Sequence, residues 1–485
     1  MKIKNSPDKL IWAAIIAYAA FFSCLSVLKY NNFIYNDFDL AIDAQTLWNI
    51  VHGSIYCSMH QIVFLGNHMR LILFLIAPLY AVFSSPVLLL ILQSVSLALG
   101  AWPLYRMAKN ELNTRFAFAI AVSYLLYPAL MYMNLFEFHP TALSTCFLMF
   151  MLYYFYREKF LKFIVFGLLA LSCQENIALL LITMGCFAFF VKKGRRWAVV
   201  PVVIGVSYFY LSIFKIIPYF NNGTIEFESL YSHLGSSLPQ ALLNMAANPL
   251  RTAYLMFSPE NLLLLFQMFC PLVFLPLFSL PLLAVALPIF MQHMLSSRFM
   301  EHTIFYHYSA EIIPFVFFAS VFGARRVLAV LSSPAQRRAF LWLLVIAAVI
   351  SSVHLGPLGR ISRSIRTWKS RREVSLQIGR FISRIPSDAP IAATFEFLPH
   401  LSNRKYLYSF HHFYSGKSTL SGKNFKLPEA IDYALINYDD GHTFEDFRCP
   451  ESDDNLKNFF KRYNLKKIDS FEKIEFYKRP VNGKK

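Results

Sequence analysis

Three aspartates stand close together in the segment YNDFDLAIDAQTLWNIVHGS, residues 35–54, directly after the first apolar stretch long enough to cross a membrane. They are Asp37, Asp39 and Asp43. Asp39 and Asp43 are four residues apart, so a helix places both carboxylates on one face, where they repel unless a proton or a cation lies between them. The pair permits a divalent metal, Mg²⁺ or Mn²⁺, without requiring one. Alternatively, Asp39 is only the N-cap of the helix LAIDAQTLWNIV, a position that favours Asp for reasons unrelated to catalysis.

Other ionisable side chains lie beside the apolar stretches, where a charged group is costly and therefore indicates function. They are His68 in the first loop, Glu137 and His139 in FEFHP, Glu175 in CQEN, and Arg298, His302 and His307 around residue 300. Some of them also have structural interpretations. His139 precedes Pro140 at a helix start, and Glu311, four residues after His307, predicts an internal His–Glu pair.

The composition indicates a polytopic membrane protein. Of the 485 residues, 56% are hydrophobic and only 15% are charged, whereas a soluble domain has about 25% charged residues. The net charge of +18 predicts basic loops beside the membrane and contacts with lipid headgroups, not nucleic-acid binding. The seven cysteines contain no CxxC pair, which argues against a disulfide framework or a redox motif.

About eleven apolar stretches approach the roughly 20 residues that a membrane-spanning helix needs. They are 10–28, 86–105, 116–133, 140–157, 161–174, 176–192, 197–217, 260–278, 279–295, 303–322 and 339–355. These stretches define a transmembrane domain, residues 1–356, with a first outer loop at 29–85. A shorter stretch in that loop, residues 69–83, predicts a re-entrant or interfacial helix.

The distribution of Lys and Arg predicts the orientation in the plasma (inner) membrane. Basic residues are concentrated at the N-terminus (Lys2, Lys4 and Lys9) and in every second connection thereafter, which places the N-terminus in the cytoplasm. The three aspartates and the other candidate residues then share the outer face. An odd number of spans also places residues 357–485 outside. The basic segment GRISRSIRTWKSRRE, 359–373, opposes this topology unless its charges meet anionic lipid or a phosphate ligand there.

Residues 357–485 are more polar and predict a small extracytoplasmic α/β domain. REVSLQIGRFISRIP has apolar residues at helical spacing, and APIAATFEF, KYLYSF and IDYALINYD are typical of strands. SDDNLKNFFKRYN predicts a helix that opens with a Ser cap, and KIDSFEKIEFYKR predicts a closing hairpin. The length, about 125 residues, is that of an ordinary domain.

The ordered series of these segments resembles a family of prokaryotic polytopic membrane proteins that is defined as a domain of unknown function. The segments are YNDFDLAIDAQTLWNIVHGS, LGNHMRLILFLIAPLYAVF, YLLYPALMYMNLFEFHPTAL, SCQENIALLL, YHYSAEIIPF and AATFEFLPHLSNRKYLY. That family is similar in layout to the GT-C glycosyltransferases, mannosyltransferase-like membrane enzymes that take a sugar from a polyprenyl-phosphate carrier on the non-cytoplasmic side. Their hallmark is an acidic residue in the first outer loop, a place that Asp39 holds here, with Asp37 as the neighbouring candidate.

The resemblance implies a GT-C-like helical fold and inverting transfer of a hexose or pentose to an envelope lipid, glycan or protein acceptor. A first-loop Asp would take the proton of the acceptor hydroxyl, and cationic side chains would support the leaving lipid phosphate. The residues implied in substrate binding are His68, Glu137, His139, Glu175, Arg298, His302 and His307.

Two other classes of function fit the composition. A transporter or lipid flippase would use the carboxylates and histidines as a proton or substrate path, and a non-catalytic envelope-assembly protein would tolerate Asn in the acidic loop. Transporters often show internal repeats and midplane sites. This sequence shows no convincing repeat, and its polar residues gather at one face, which favours the transferase.

Overall fold

The structure is a computed structural model that describes residues 7–419 and 422–480. Lys2 and Lys4, which support the predicted orientation, lie outside the described residues. The helices that precede the C-terminal sheet are α1 (Pro7–Asn31), α2 (Asp39–Val51), α3 (Ile72–Val82), α4 (Pro86–Leu99), α5 (Ala101–Glu111), α6 (Thr114–Leu125), α7 (Pro128–Leu135), α8 (Pro140–Tyr156), α9 (Phe160–Leu171), α10 (Ile177–Phe190), α11 (Arg195–Leu211), α12 (Ile217–Phe220), α13 (Leu238–Ala247), α14 (Pro249–Met256), α15 (Pro259–Phe269), α16 (Leu280–Val285), α17 (Leu287–Met294), α18 (Ile313–Val330), α19 (Pro334–His354), α20 (Ile361–Ser370) and α21 (Arg372–Ser383).

The chain is a polytopic α-helical membrane protein, as predicted. Among the described residues, six helical segments are long and apolar enough to span a membrane, or up to eight if two bent pairs are each counted as one span. The six are Asp8–Asn31, Pro86–Glu111, Thr114–Leu135, Arg195–Phe220, Ile313–Val330 and Pro334–His354. The shorter apolar helices α3, α9 and α10 accompany them, so the count of eleven stays a prediction.

The region between residues 249 and 312 departs from the predicted spans. Instead of straight helices at 260–278 and 279–295, it contains two helix pairs bent by 58° and 93°. Val273 and Phe274, between the pairs, have φ of 51° and 57°, a left-handed conformation that ends a helix. The span predicted at 303–322 is present at Ile313–Val330, but its predicted start is wrong, because α18 begins only at Ile313, where Pro314 occupies the first turn.

At one end of the helical bundle, some of the basic residues pair with acids. Lys109 Nζ lies 2.7 Å from Asp8 Oδ1, and Arg325 Nη1 lies 2.6 Å from Glu111 Oε2. This end carries the start of α1 and therefore corresponds to the basic face of the predicted topology. The first loop and the candidate residues lie at the opposite end, which we call the site face.

The C-terminal residues form a mixed sheet flanked by helices. Its strands and helices are β3 (Ile391–Ala393), α22 (Leu398–Leu401), β4 (Leu407–Ser409), α23 (Phe410–Ser415), β5 (Tyr433–Asn437), α24 (Ser452–Tyr463), β6 (Lys466–Phe471) and β7 (Ile474–Lys478). The strands β1 (Tyr56–Cys57) and β2 (Ile62–Val63) form a separate hairpin in the first loop. The strand order is β4-β3-β5-β7-β6, parallel among the first three and antiparallel at β7 and β6. The predicted small α/β fold is confirmed. The predicted Ser cap is wrong, because Ser452 is the first helical residue and Glu451 the N-cap.

The sheet packs directly on the first loop. Ser58 Oγ donates to the Leu407 carbonyl at 2.7 Å and accepts from the Leu407 amide at 2.9 Å. Gln45 on α2 donates to Ser58 Oγ at 2.7 Å, and His400 stacks on Phe33 with ring centroids 3.9 Å apart. The C-terminal domain therefore lies at the site face. Which compartment the site face meets, and the domain boundary at 356, stay predictions.

Candidate functional site

The acidic loop is held by a buried carboxylate from a distant turn. Helix α2 begins at Asp39, and its N-cap residue, Phe38, makes no side-chain capping bond. Glu137, only 1% exposed, instead accepts the Asp37 amide at 3.0 Å and the Leu40 amide at 2.7 Å. The interpretation of Asp39 as the N-cap is therefore wrong. Because Glu137 accepts the Leu40 amide in the first turn, the Asp39 side chain is available for other contacts.

Asp39 forms a hydrogen-bonded pair with His139. The His139 Nε2 atom lies 2.8 Å from Asp39 Oδ2, and its Nδ1 atom lies 3.3 Å from the Glu137 carbonyl oxygen. Both ring nitrogens thus face acceptors, an arrangement that the doubly protonated ring satisfies with two N–H donors. The His139 side chain is 2% exposed, whereas that of Asp39 is 26% exposed. Asp39 is therefore the member of the pair that a substrate can reach.

His307 stacks on the His139 ring. The two ring centroids are 3.6 Å apart, and Phe136 stacks on His139 at 5.4 Å. Burial, followed by the neighbouring His139, holds the pKa of His307 well below its ordinary value, which favours the neutral ring. The predicted His307–Glu311 pair is wrong, because Glu311 instead accepts from Asn176 at 3.2 Å.

The two aspartates at the start of α2 have opposite pKa shifts. Burial and then the charge of Asp39 raise the pKa of Asp37 to about 6. Burial also acts to raise the pKa of Asp39, but the charge and hydrogen bond of His139 outweigh it and lower that pKa below its ordinary range. At neutral pH, Asp39 is therefore ionised throughout, and Asp37 is ionised but able to accept a proton within the working range.

Asp43, on the same helix, is paired with a cation from the protein itself. Arg70 Nη1 lies 2.9 Å from Asp43 Oδ1, and the two side chains are only 9% and 1% exposed. Among the described residues, no group of three or more His, Cys, Asp or Glu side chains is arranged to hold a metal ion. Asp39 and Asp43 thus have separate partners, His139 and Arg70, and the divalent metal stays a prediction.

A second buried carboxylate holds the far end of the first loop. Glu175, in the turn between α9 and α10, lies 2.7 Å from His68 Nδ1 and accepts the Met69 amide at 3.0 Å. The His68 ring stacks on Phe227 at 4.3 Å. Glu137 and Glu175 therefore act alike, each fixing first-loop backbone from a turn between two helices.

Arg298 approaches the same region from the segment that precedes α18. Its Nη1 atom donates to the Tyr308 hydroxyl at 2.9 Å, and its guanidinium lies 5.8 Å from the ring centre of Phe227. Its Nη2 atom has no hydrogen-bond partner among the described residues. Asp39 is near enough to interact electrostatically with the guanidinium. Arg298 thus lies within electrostatic range of Asp39, pairs with Glu301 Oε1 at 3.8 Å, and keeps one donor unused.

His302 belongs to a separate network. Its Nδ1 lies 2.6 Å from Asn261 Oδ1 and its Nε2 lies 2.8 Å from the Ser296 carbonyl. Both ring nitrogens are thus engaged in holding the turn after α17. The structure brings together the other candidate residues, through direct contacts or shared neighbours. His302 is linked to Arg298 only indirectly among the described residues, through Ser296, whose hydroxyl accepts the Arg298 amide at 3.1 Å.

Several residues that the sequence did not single out complete the site. Gln93 on α4 accepts the His139 amide at 3.0 Å and donates to the Glu137 carbonyl at 3.1 Å, which fixes the turn bearing both residues. From the C-terminal domain, His411 and His412 approach Phe38, with ring centroids at 5.5 and 6.4 Å. The sequence signal that could have identified His411 and His412 is that two consecutive histidines directly follow the predicted strand KYLYSF.

Comparison with known proteins gives three findings. A family profile described as "Predicted membrane protein (DUF2079)" matches residues 29–466. No curated protein sequence matches the chain. Among solved structures, ArnT from Cupriavidus metallidurans bound to undecaprenyl phosphate is similar at a TM-score of 0.47 and 11% identity, over 96% of this chain and 98% of that one. Archaeal oligosaccharyltransferase AglB from Archaeoglobus fulgidus, in complex with an inhibitory peptide and a dolichol-phosphate, is similar at a TM-score of 0.42 and 11% identity, over 87% of this chain and 69% of that one.

Proposed function

The chain belongs to the DUF2079 family of predicted membrane proteins, and we propose that it transfers a sugar from a polyprenyl-phosphate carrier to an envelope lipid, glycan or protein. The observation that carries this proposal is the pair Asp37 and Asp39 at the start of α2. Both are partly exposed at the site face, and buried His139 and Glu137 fix their position.

The proposed reaction is a single displacement with inversion. The acceptor hydroxyl oxygen forms a bond to the anomeric carbon, the bond from that carbon to the carrier phosphate breaks, and the phosphate leaves with the electron pair. Asp37 takes the hydroxyl proton, because a base is most effective when its pKa lies near the working pH. Asp39, ionised throughout, stabilises the positive charge that develops on the sugar ring.

The leaving phosphate needs a cation with a hydrogen-bond donor that is not already used. Arg70 is engaged by Asp43 at 2.9 Å in a buried pair, whereas Arg298 lies 3.8 Å from Glu301 Oε1 and keeps Nη2 without a hydrogen-bond partner among the described residues. We therefore assign Arg298 to the phosphate, with His307 and His139 close to the reacting sugar. Glu137, Glu175 and His68 become positioning residues in this proposal, since their polar atoms are used within the protein.

The proposal is tested by lipid-linked sugar profiles of cells that lack the gene and carry a plasmid copy. Wild type should restore the profile, whereas Asp37→Asn and Asp39→Asn should each reduce transfer by about 10²- to 10⁴-fold, as expected for loss of an acid–base group. Asp453→Asn, an exposed Asp of the C-terminal domain, is the matched control. Restoration of the wild-type profile by Asp39→Asn would contradict a catalytic role for this site and favour a transporter or an assembly protein.

A further inference from the structure

Helix α20 presents an unusually basic surface between the last span and the C-terminal sheet. One side of the helix is apolar, and its residues Ile361, Ile365 and Trp368 pack against the core. The other side is solvent-exposed. Its exposed basic residues are Arg363, Arg366 and Lys369, and Arg360 and Arg372 lie just before and just after the helix; we call these five residues the basic face.

The charges of the basic face are not neutralised by the protein. Among the described residues, no acidic side chain forms an ion pair with any of its five members. The neighbouring arginines differ, since Arg371 lies 2.9 Å from Glu396 and Arg384 pairs with Asp469. The basic end of the bundle likewise pairs Lys109 with Asp8. A cluster of unpaired cations repels itself and is stabilised by an external anion.

The helix lies where the spans leave the membrane. It follows α19 after a short turn, and Trp368 lies 5.9 Å from Lys29 Nζ, near the end of α1. Lys29 in turn donates to the carbonyl of Leu135, the last residue of another span. Helix α20 is therefore at the level of the lipid headgroups on the site face.

We infer that the basic face binds the anionic phospholipid headgroups of the leaflet next to the site. The arrangement explains why a strongly basic segment lies on the side that is otherwise poor in Lys and Arg. Its apolar side is used for packing on the bundle, so its lipid contacts are electrostatic and not an insertion of apolar side chains. This inference goes beyond sugar transfer and does not depend on it.

The test uses the full-length protein purified in detergent and equilibrated with equal amounts of phosphatidylglycerol and phosphatidylcholine. Native mass spectrometry then counts the lipids that remain bound. Wild type should retain phosphatidylglycerol preferentially. The triple variant Arg363→Glu, Arg366→Glu and Lys369→Glu should lower this preference more than about tenfold, because each basic residue near anionic lipid contributes about fivefold. High salt should weaken the wild-type preference.

The matched control reverses three exposed lysines of the C-terminal domain that lie off the bundle, as Lys461→Glu, Lys466→Glu and Lys473→Glu. It makes the same change in net charge and should keep the wild-type preference. If the triple Glu variant elutes as an aggregate, the corresponding triple Gln variant takes its place with the same readout. Unchanged preference in the basic-face variant, or equal loss in the control, overturns the inference. So does retention of a single polyprenyl phosphate that excess phosphatidylglycerol does not displace.

Discussion

Replacing His139 by Gln separates the charge of the His139–Asp39 pair from its hydrogen bond. Gln reaches about as far as the Nε2 atom of His and can donate to Asp39 Oδ2, which now receives a bond of 2.8 Å. The substitution removes the positive charge and the stacking on His307. A hydrogen bond to a charged group contributes about 1.5–3 kcal/mol. If the positive charge of His139 supplies most of this free energy in the transition state, kcat/KM should fall by roughly 10- to 150-fold.

The same substitution should move the acid limb of the pH–rate profile. Burial and the Asp39 charge raise the pKa of Asp37 to about 6, while His139 opposes them. In the wild type, activity should therefore fall as the pH falls through about 6 and Asp37 becomes protonated. Without the His139 charge, the pKa values of Asp37 and Asp39 both rise. The acid limb of His139→Gln should thus lie at a higher pH.

The assay is sugar transfer by purified protein in detergent or vesicles, measured as kcat/KM between about pH 5 and 8. His302→Gln is the matched control, because His302 is also hydrogen-bonded through both nitrogens but in a separate network. It should lower thermal stability and leave the midpoint of the acid limb in place. A His139→Gln protein with wild-type kcat/KM and an unmoved acid limb would refute the assigned role of the pair.

Two further predictions concern stability. Arg70→Met leaves the Asp43 carboxylate buried without its cation, so it should destabilise the protein by about 3–5 kcal/mol in thermal or denaturant unfolding, and adding Asp43→Asn should recover part of the loss. Arg338→Met, which changes an exposed residue of α19, is the control. Equal stability of the Arg70→Met and Arg338→Met proteins would contradict the buried pair. The second prediction is that the C-terminal domain is released from the first loop by acid. Burial lowers the pKa values of His60 and His400 to about 4 and that of His412 to about 3, so these rings stay neutral when docked. The undocked state binds more protons, and docking should therefore weaken as the pH falls from about 6.5 towards 4. Hydrogen exchange of residues 56–63 and 407–415 measures this change, and equal protection at both ends of that range would argue against it.

The location of the candidate residues could be predicted from the sequence because charged groups beside apolar spans are costly and therefore conspicuous. Their partners could not be predicted. Asp39 pairs with His139, and Glu137 binds the start of α2, across about 100 residues of sequence. Capping rules consider only local neighbours, which is why the sequence offers Asp39 itself as an alternative cap for the helix.

The spans were predictable where the chain is regular and not where its backbone is irregular. Apolar length located α1 and α19 closely, but length alone cannot show a bend. The left-handed residues Val273 and Phe274 break an otherwise continuous apolar stretch and have no special residue type to announce them. The C-terminal strands were predictable because short apolar and aromatic runs bounded by polar and turn residues are a local signal, whereas their packing on Gln45 and Ser58 is not local.

The clamping of the first loop by Glu137 and Glu175 has a consequence for biogenesis. The loop leaves the ribosome before the turns that contain these two carboxylates, and its contacts with Leu407 and Arg404 form 349 and 359 residues later in sequence. Helix α2 has no side-chain cap from its N-cap residue, so the Leu40 amide in its first turn gains its partner, Glu137, only after later helices have inserted. Maturation of the acidic loop is thus a late step of assembly, and truncated chains carry the two aspartates without the contacts that fix their position.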